Sequence, residues 1–392
     1  MASAGASSKQ TGHLPRAGDL GPAVRRTLSN RLPRPWLFPL LVFAATWLVI
    51  LASWYGSDAI YGHRHAWTWH FLIKDAGFYL KIAEHGYPGD PAKAAFFPLF
   101  PLLIHLASYL TAGNYPIAGL LTSIACGAAS AAGVWAVAAR VCDRWVADRA
   151  VLLYCAFPGA MTFSMLYAEP LAVALSAAAL LALLDRRWLL AGIIGAVATA
   201  ERAGLMILFA VSAVAAMQAI WARNQWRALL APALTPLGIL GYFGYLGQLT
   251  GNDGYWFWIE NKGWHQHIDW GAHTIGLLLW LNRRDAHHPL YVVLLLIMFA
   301  AALAGVVLML SARLPLPVSL FAILAIMLAV LSSDGGTKPR FMWIAFPIFI
   351  GAAARLPRAI YWPVLILSAA GLAFVIGVWP QHFTGAAPWP AP

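Results

Sequence analysis

Long runs of apolar residues alternate with short polar segments along most of the chain. The run 36–56, WLFPLLVFAATWLVILASWYG, contains no charged residue, and similar runs occupy 291–311 and 363–379. Each run is close to the roughly 20 residues that an α-helix needs to cross the hydrocarbon core of a membrane. Several such runs predict an all-α polytopic membrane protein, because no soluble core requires them.

Charged residues between the runs indicate which segments cross the membrane. By the positive-inside rule, basic clusters near span ends belong on the cytoplasmic side; they lie at 140–149, 185–187, 223–227, 313 and 355–358. All of them reach that side only if the segment 96–112 does not cross. This segment is short and contains Pro98 and Pro101, and we interpret it as an interfacial or re-entrant element on the outer face.

This threading predicts eleven transmembrane spans. Their approximate ranges are 36–56, 115–139, 150–166, 170–185, 187–201, 203–221, 228–249, 289–311, 315–333, 340–355 and 359–379. The N-terminus is then cytoplasmic, the C-terminus lies outside, and two long loops, 57–114 and 251–288, lie on the outer face. The boundaries between 150 and 221 are the least defined, because the runs there are short and closely spaced.

The chain divides into three parts. Residues 1–35 are basic and rich in Ser, Gly, Ala and Pro, which predicts a disordered cytoplasmic tail. Residues 36–380 form the transmembrane domain, and 381–392 form a short Pro-rich outer tail. The run at 36–56 has no small-residue cleavage site after it, so we interpret it as a retained span rather than a signal peptide.

The net charge of +11 does not indicate a nucleic-acid partner. The predicted topology places most basic residues on the cytoplasmic side, facing the anionic leaflet, and most acids with every histidine but His13 on the outer side. Membrane lipids are the expected partners, and nucleic acid is not. The cysteines at 126, 142 and 155 fit no metal or redox motif and predict no disulfide framework.

The segment 71–90, FLIKDAGFYLKIAEHGYPGD, concentrates ionisable residues in a chain that is only 10% charged. Asp75 directly precedes a stretch in which Phe78, Tyr79 and Ile82 share one helical face. The pattern predicts a short amphipathic helix lying along the membrane surface, with Asp75 at its N-cap. From these residues alone, Asp75 is either only a cap or a carboxylate that performs chemistry.

Several motifs, in order, resemble the GPI mannosyltransferase II (PIG-V-like) family. DAGFYLKIAEHGY followed by AFFPLFPLLIHL is similar to the family's signature, and three further segments agree: FPGAMTFSMLYAEPLAVALS (157–176), ATAERAGLMIL (198–208) and KPRFMWIAFPIF (338–349). The resemblance covers most of residues 70–350. The chain departs from the family pattern at Lys74, where Trp is usual, and at Glu201, where a small or polar residue is usual.

The resemblance implies a GT-C-like bundle of about 11 transmembrane helices with amphipathic helices in the first outer loop. It also implies a polyprenyl-phosphate sugar donor, usually mannose, and a catalytic acid in that loop, which is Asp75 here. A hydroxyl acceptor needs a general base, and a carboxylate at the membrane surface can serve. The expected acceptor is lipid-linked or a glycan; because the Ala-rich, Lys-poor composition suggests a bacterial source, a GPI anchor is not expected.

The predicted substrate-binding residues are Tyr79, Glu169, Arg202, Arg340, His265 and His267. The lipid phosphate of the donor requires cationic partners, which the two arginines can supply. Other interpretations stay open: Glu169 and Arg202 can form a purely structural pair, and Arg340 can anchor lipid headgroups.

The segment WHQHID places His265, His267 and Asp269 at alternating positions, which would suit a metal ion in an extended chain. Alternation within a Trp-rich interfacial loop is the commoner explanation. Donors of this type do not generally require an ion to chelate a nucleotide, so no metal and no other cofactor is expected.

The leading hypothesis is a multi-pass glycosyltransferase of the cell membrane whose active site faces the outer side. The hexose that it transfers is expected to be mannose. The alternative is a transporter or flippase of lipid-linked sugars. Such a protein would place charged or broken-helix features near mid-membrane in two related halves, and the sequence shows no convincing internal repeat. A third hypothesis is a non-catalytic subunit, so the chain is expected to act as a monomer or within a membrane complex.

Overall fold

The computed structural model describes residues 34–279, 289–333 and 338–377. Within these ranges the chain is built from helices, and an isolated β-bridge joins Ile268 to Ser332. The α-helices are α1 (Leu37–Tyr61), α2 (Trp67–Phe71), α3 (Ala76–His85), α4 (Leu99–Ser108), α5 (Tyr115–Val141), α6 (Arg144–Ala156), α7 (Glu169–Leu184), α8 (Trp188–Thr199), α9 (Ile207–Arg223), α10 (Leu230–Leu234), α11 (Leu237–Thr250), α12 (Tyr255–Lys262), α13 (Ala272–Leu278), α14 (Pro289–Ser311), α15 (Leu316–Leu331), α16 (Lys338–Ile344), α17 (Pro347–Arg355) and α18 (Arg358–Gly377). The outer tail 381–392 and nearly all of the basic tail 1–35 lie outside the described residues.

The all-α membrane architecture predicted from the sequence is confirmed. In the described residues, five helices are long and apolar enough to cross a membrane, or six if one bent pair counts as a single span. The five are Leu37–Tyr61, Tyr115–Val141, Ala203–Arg223, Trp226–Thr250 and Arg358–Gly377. The total of eleven spans stays a prediction, because several of the other apolar helices are shorter than a membrane crossing requires.

Some of the predicted spans are not continuous helices, and two of them illustrate this. Within 150–166, α6 ends at Ala156 and a 3-10 turn starts at Pro158, after which the chain bends by 111° into α7. Within 340–355, the helix is interrupted before Pro347. Proline lacks the backbone N–H that a helix interior uses and clashes with the preceding turn, so both breaks have a local cause.

Helix α5 lies at the centre of the bundle and packs against α1, α4, α6 and α7. Small residues on α5 let the neighbouring helices approach closely, as in other membrane bundles. At Gly127, a Cβ atom would lie 2.5 Å from the ring of Phe43, so that only glycine fits there. This close packing produces one large apolar core that continues to the helix ends where the polar site lies.

The segment 57–114 contains the amphipathic helices expected there. In α3, Tyr79 and Ile82 are buried whereas Lys81 and Glu84 are exposed, and the helix ends at Gly86, whose φ is 71°. Helix α4 has ten residues and is therefore about 15 Å long, half of what a crossing needs. Its length supports the interpretation of 96–112 as an element that does not cross.

Candidate active site

Asp75 stands where α3 begins, and tertiary contacts fix its position. The carbonyl of the buried Phe71 accepts a hydrogen bond from the backbone N–H of Leu166 at 3.1 Å. Lys74 then adopts a left-handed backbone with φ 52°. Asp75 occupies the predicted N-cap position of α3, but its own backbone is already helical and its side chain accepts no hydrogen bond from the helix. Instead, Oδ2 accepts a hydrogen bond from Nη1 of Arg340 at 2.9 Å.

Arg340 is held by the short helix α16. Three residues later, Trp343 is fully buried, stacks on the ring of Tyr154 at 4.5 Å and donates its Nε1–H to the Tyr154 carbonyl at 3.1 Å. The guanidinium of Arg340 lies over the ring of Tyr167 at 4.9 Å and that of Phe341 at 5.0 Å. Aromatic faces attract a guanidinium and restrict its orientation, so the fork of Arg340 is oriented before any ligand arrives.

Glu169, the first residue of α7, connects the two arginines. Its Oε1 lies 3.4 Å from Nε of Arg340 and 3.1 Å from Nη2 of Arg202, and Nε of Arg202 also contacts Oε1 of Glu201 at 3.2 Å. The result is a continuous series Asp75–Arg340–Glu169–Arg202–Glu201, which we call the ion-pair chain. It joins residues from α3, α7, α16 and the turn between α8 and α9.

Part of the hydrogen-bonding capacity in the ion-pair chain is unused. Among the described residues, Oε2 of Glu169, Oε2 of Glu201 and Nε of Arg340 are buried and have no hydrogen-bond partner; the 3.4 Å contact of Arg340 with Glu169 is an ion pair without hydrogen-bond geometry. A buried polar atom without a partner is costly. A polar ligand or water at this position would reduce that cost.

Exposure separates the members of the ion-pair chain into two sets. The side chain of Asp75 is 23% exposed, that of Arg202 is 18% and that of Arg340 is 11%, whereas those of Glu169 and Glu201 are 2% and 0%. Asp75 and the arginines are therefore accessible to a bound molecule. The two glutamates lie behind them and hold the guanidinium groups in place.

Glu201 lies in the turn after α8, and its environment favours a proton. Burial raises the pKa of Glu201 to about 7, because Arg202 only partly offsets the loss of water and Glu169 adds repulsion. The ion-pair chain contains three carboxylates and two guanidinium groups. A proton on Glu201 balances these charges, whereas its loss leaves one negative charge in a poorly hydrated site.

Tyr79 supports the site from within the core. Its ring contacts those of Phe96 and Phe100, each at 5.1 Å between centroids, and the residue is 8% exposed. The hydroxyl of Tyr242 donates to the carbonyl of Phe96 at 3.0 Å, which holds this segment against α11. The role of Tyr79 as a substrate contact stays a prediction, since the structure buries it.

His265 and His267 are not brought into the ion-pair chain within the described residues. Both side chains are exposed, and both residues use their backbone to pair with Ser333, whose N–H donates to the carbonyl of His267 at 2.9 Å. Trp264 nevertheless packs on Phe78 at 5.5 Å, which places the loop beside α3. Contact of either histidine with substrate stays a prediction.

The carboxylate of Asp269, in the segment WHQHID, contacts the backbone that follows it. Both oxygens of Asp269 accept backbone hydrogen bonds, Oδ1 from Gly271 at 2.9 Å and Oδ2 from His273 at 2.8 Å. Asp269 therefore stabilises the start of α13.

Sequence reasoning did not select several residues that the fold places at the site. In the sequence Glu201 is a departure from the family pattern and a possible local partner of Arg202, but neither it nor Tyr167 nor Phe341 is among the predicted site residues. The two aromatic residues do lie within the quoted motifs, two positions before Glu169 and directly after Arg340. An aromatic residue beside a motif arginine or glutamate is the sequence signal that could have indicated these contacts.

Comparisons with known proteins bear on the family and the fold. Residues 57–229 match the family described as Mannosyltransferase (PIG-V), whereas no curated protein sequence matches the chain. ArnT from Cupriavidus metallidurans, solved bound to undecaprenyl phosphate, shares 15% identity over 90% of this chain and 66% of its own, with a TM-score of 0.55. The Archaeoglobus fulgidus oligosaccharyltransferase, tethered with an acceptor peptide, shares 13% sequence identity. The match covers 88% of this chain and 54% of the oligosaccharyltransferase, with a TM-score of 0.46.

The family match covers the motifs up to residue 208 and confirms this part of the resemblance, whereas KPRFMWIAFPIF (338–349) lies outside the matched residues. The likeness to ArnT confirms the predicted fold class, that of the GT-C glycosyltransferases. The chain spans about two thirds of the length of ArnT and about half of that of the oligosaccharyltransferase.

Proposed function

We propose that this chain, a membrane glycosyltransferase with the GT-C fold and PIG-V-like motifs, transfers mannose from polyprenyl-phosphate-mannose to a lipid-linked or glycan acceptor on the outer face of the membrane. The observation that carries the proposal is the ion-pair chain, in which a reachable carboxylate lies beside two oriented guanidinium groups. The family description and the lipid in the ArnT structure support the choice of sugar and donor.

The proposed reaction is a direct displacement at the sugar. The acceptor hydroxyl attacks C1 of mannose, the bond from C1 to the phosphate oxygen breaks, and the polyprenyl phosphate leaves with the bonding electrons. Asp75 accepts the hydroxyl proton, because it is the most exposed carboxylate of the ion-pair chain. A positioned base of this kind typically contributes about 10²–10⁴-fold to a rate.

The leaving phosphate is stabilised by Arg340 and Arg202. Planar guanidinium groups can donate two parallel hydrogen bonds to phosphate oxygens. Glu169 contacts both arginines and is nearly inaccessible, so in this proposal it sets their spacing and does not touch substrate.

Donor binding and base activation are coupled in this proposal. Nη1 of Arg340 donates to Oδ2 of Asp75 at 2.9 Å, so this oxygen is occupied before the donor binds. When the donor phosphate recruits Arg340, Oδ2 is released and can accept the hydroxyl proton. The base is thus activated only when the donor is present.

The surroundings of the site fit lipid substrates. The loop after α11 carries exposed aromatic residues, with Trp258 50%, Phe257 59% and Trp270 79% exposed. Trp side chains favour the headgroup zone of a membrane. These exposed aromatic residues support a site at the level of the bilayer.

The test uses the full chain reconstituted in liposomes with candidate acceptors. We expect a mannosylated product, detected by mass spectrometry, with polyprenyl-phosphate-mannose and none with GDP-mannose. Asp75→Asn is the matched inactive control. Transfer from the nucleotide sugar alone would contradict the donor assignment, and movement of the lipid donor across the bilayer without transfer would support the transporter instead.

The orientation of the site is tested by cysteine labelling in a variant whose native cysteines are replaced. We expect Asn114→Cys to react with an impermeant maleimide from the outside and Trp145→Cys only from the cytoplasmic side. Labelling of position 114 from the cytoplasm would overturn both the topology and the outer-face site.

A further inference from the structure

A second group of polar side chains lies at the end of α1 that leads into the first outer loop. Oδ1 of Asp58 lies 2.9 Å from Nδ1 of His65, and Oδ2 lies 3.2 Å from Nε2 of His70. Oδ2 also accepts the backbone N–H of His65 at 3.0 Å. The possible ligand atoms of Asp58, His63 and His65 all lie within 4.8 Å of one another.

The local backbone explains why these residues meet. After α1, Gly62 adopts φ 73°, a left-handed conformation that favours glycine, and the N–H of His63 returns to the carbonyl of Asp58 at 2.8 Å. This turn directs the chain back along α1. It brings the imidazole groups of His63 and His65 beside the carboxylate of Asp58.

Packing fixes the orientation of two of the rings. The ring of His65 stacks on that of Trp69, with 3.7 Å between centroids and an interplanar angle of 8°. The ring of His70 stacks on that of Trp54 at 5.2 Å and is buried. Side chains held this way lose little further freedom when they bind a ligand.

We propose that this group binds one divalent transition-metal ion of the Zn²⁺ class, with Asp58, His63 and His65 as ligands. Two ligands that bind one zinc ion at about 2.0–2.1 Å lie roughly 3–3.5 Å apart, close to the 2.9 Å between Asp58 and His65. His63 is exposed and reaches the ion by a small movement. Imidazole ligands select zinc and its neighbours over Mg²⁺ or Ca²⁺.

His70 takes the role of a supporting residue. It lies against Oδ2 of Asp58, the oxygen away from His65, and so orients the carboxylate for the ion. Carboxylate ligands in metal sites are commonly held in this way. The remaining coordination position faces an open cavity lined by Tyr55, Ala59, Gly62 and Arg64 together with the ligands, which admits a water molecule.

The ion would be structural. It ties the end of α1 to the segment that continues through α2 to Phe71 and then to the start of α3. The proposal is independent of the transfer reaction, since none of its ligands belongs to the ion-pair chain.

The test measures zinc bound to the full chain, purified in detergent without a polyhistidine tag. The protein is stripped with a chelator, incubated with Zn²⁺, and passed through gel filtration before metal analysis by mass spectrometry. We expect about one zinc per chain, a loss of at least tenfold in affinity for His63→Ala and His65→Ala, and no change for His85→Ala, an exposed histidine of the same loop. No retained zinc, or equal binding by His63→Ala, would overturn the proposal and leave only a hydrogen-bonded cluster.

A second measurement does not depend on variants that fold poorly. Co²⁺ bound to the wild-type chain should show the intense visible absorption of a four- or five-coordinate site, and Zn²⁺ should displace it. Zn²⁺ should also raise the Tm of the wild type and His85→Ala but not that of His63→Ala. A weak, octahedral Co²⁺ spectrum would contradict the proposed ligands.

Discussion

Asp75 and Asp58 stand in the same region of the sequence, and the fold gives them different partners. Asp75 accepts a hydrogen bond from Arg340, which lies 265 positions away in the chain. Asp58 contacts imidazoles only 7 and 12 positions away. Arginine keeps its charge at any ordinary pH, whereas imidazole is neutral or charged and can ligate a metal. The partner, not the carboxylate, therefore decides the chemistry available at each position.

The two carboxylates also differ in access. The side chain of Asp75 is 23% exposed and that of Asp58 is 7%. Asp75 can meet a substrate, while Asp58 lies mainly against the histidines that follow it in the chain. In the proposed enzyme, one carboxylate reacts and the other maintains structure, and substitutions should separate these roles.

The largest effect is expected for Asp75→Asn. Asparagine retains the shape and can still accept from Arg340, but it cannot take a proton, so the rate should fall about 10²–10⁴-fold. Initial rates of mannose transfer at equal amounts of folded protein measure this. Glu84→Gln, an exposed acid on the same helix, is the control and should stay near the wild-type rate; near-normal turnover of Asp75→Asn would exclude it as the base.

Removal of either arginine should have the next largest effect. Arg340→Ala or Arg202→Ala should lower donor use on the order of 10²-fold, as expected for a lost donor to developing charge. The Lys variants should recover only part of this, since a point charge lacks the planar fork. The dependence of rate on donor concentration checks the prediction, with Lys81→Ala as the exposed control; unchanged donor affinity in both Ala variants would reduce the arginines to structural roles.

Glu201 predicts a pH-dependent stability. Its folded pKa is about 7 and its ordinary value 4.5, so the folded protein binds this proton more tightly than the unfolded chain. The resulting stability is complete below about pH 4.5 and is lost as the pH rises through 7. The Tm should therefore fall by a few degrees more in the wild type than in Glu201→Gln between pH 5.5 and 8.5. Parallel curves for the two proteins would indicate that Glu201 is ionised throughout.

The smallest effect on transfer is expected for Asp58→Asn. The change weakens the contacts to His65 and to the buried His70, and a buried polar group that loses its partner costs about 1–3 kcal/mol. Thermal unfolding should show a lower Tm, while the rate per folded molecule should fall far less than for Asp75→Asn. A rate loss as large as that of Asp75→Asn would show that the two carboxylates act together and would remove the distinction drawn between them.

Much of the architecture was determined by the sequence alone. Apolar runs of about membrane length require helices, because backbone groups in hydrocarbon must bond within their own segment. The periodicity of α3, with Tyr79 and Ile82 on one face, sufficed to predict its burial pattern and its end at Gly86. Motif order selected Asp75, Glu169, Arg202 and Arg340 as candidate site residues without any structure, since these short segments carry the family resemblance.

Only the tertiary structure decided how these residues are paired. The breaks at Pro158 and Pro347 bend the chain so that α7 and α16 present Glu169 and Arg340 to one another. Asp75 was expected to cap α3, yet Arg340 takes its carboxylate, because a charged partner outweighs a backbone donor. Contacts over 265 positions depend on the packing of the whole bundle, which no local pattern encodes. Candidate residues could therefore be named from the sequence, but their partners could not.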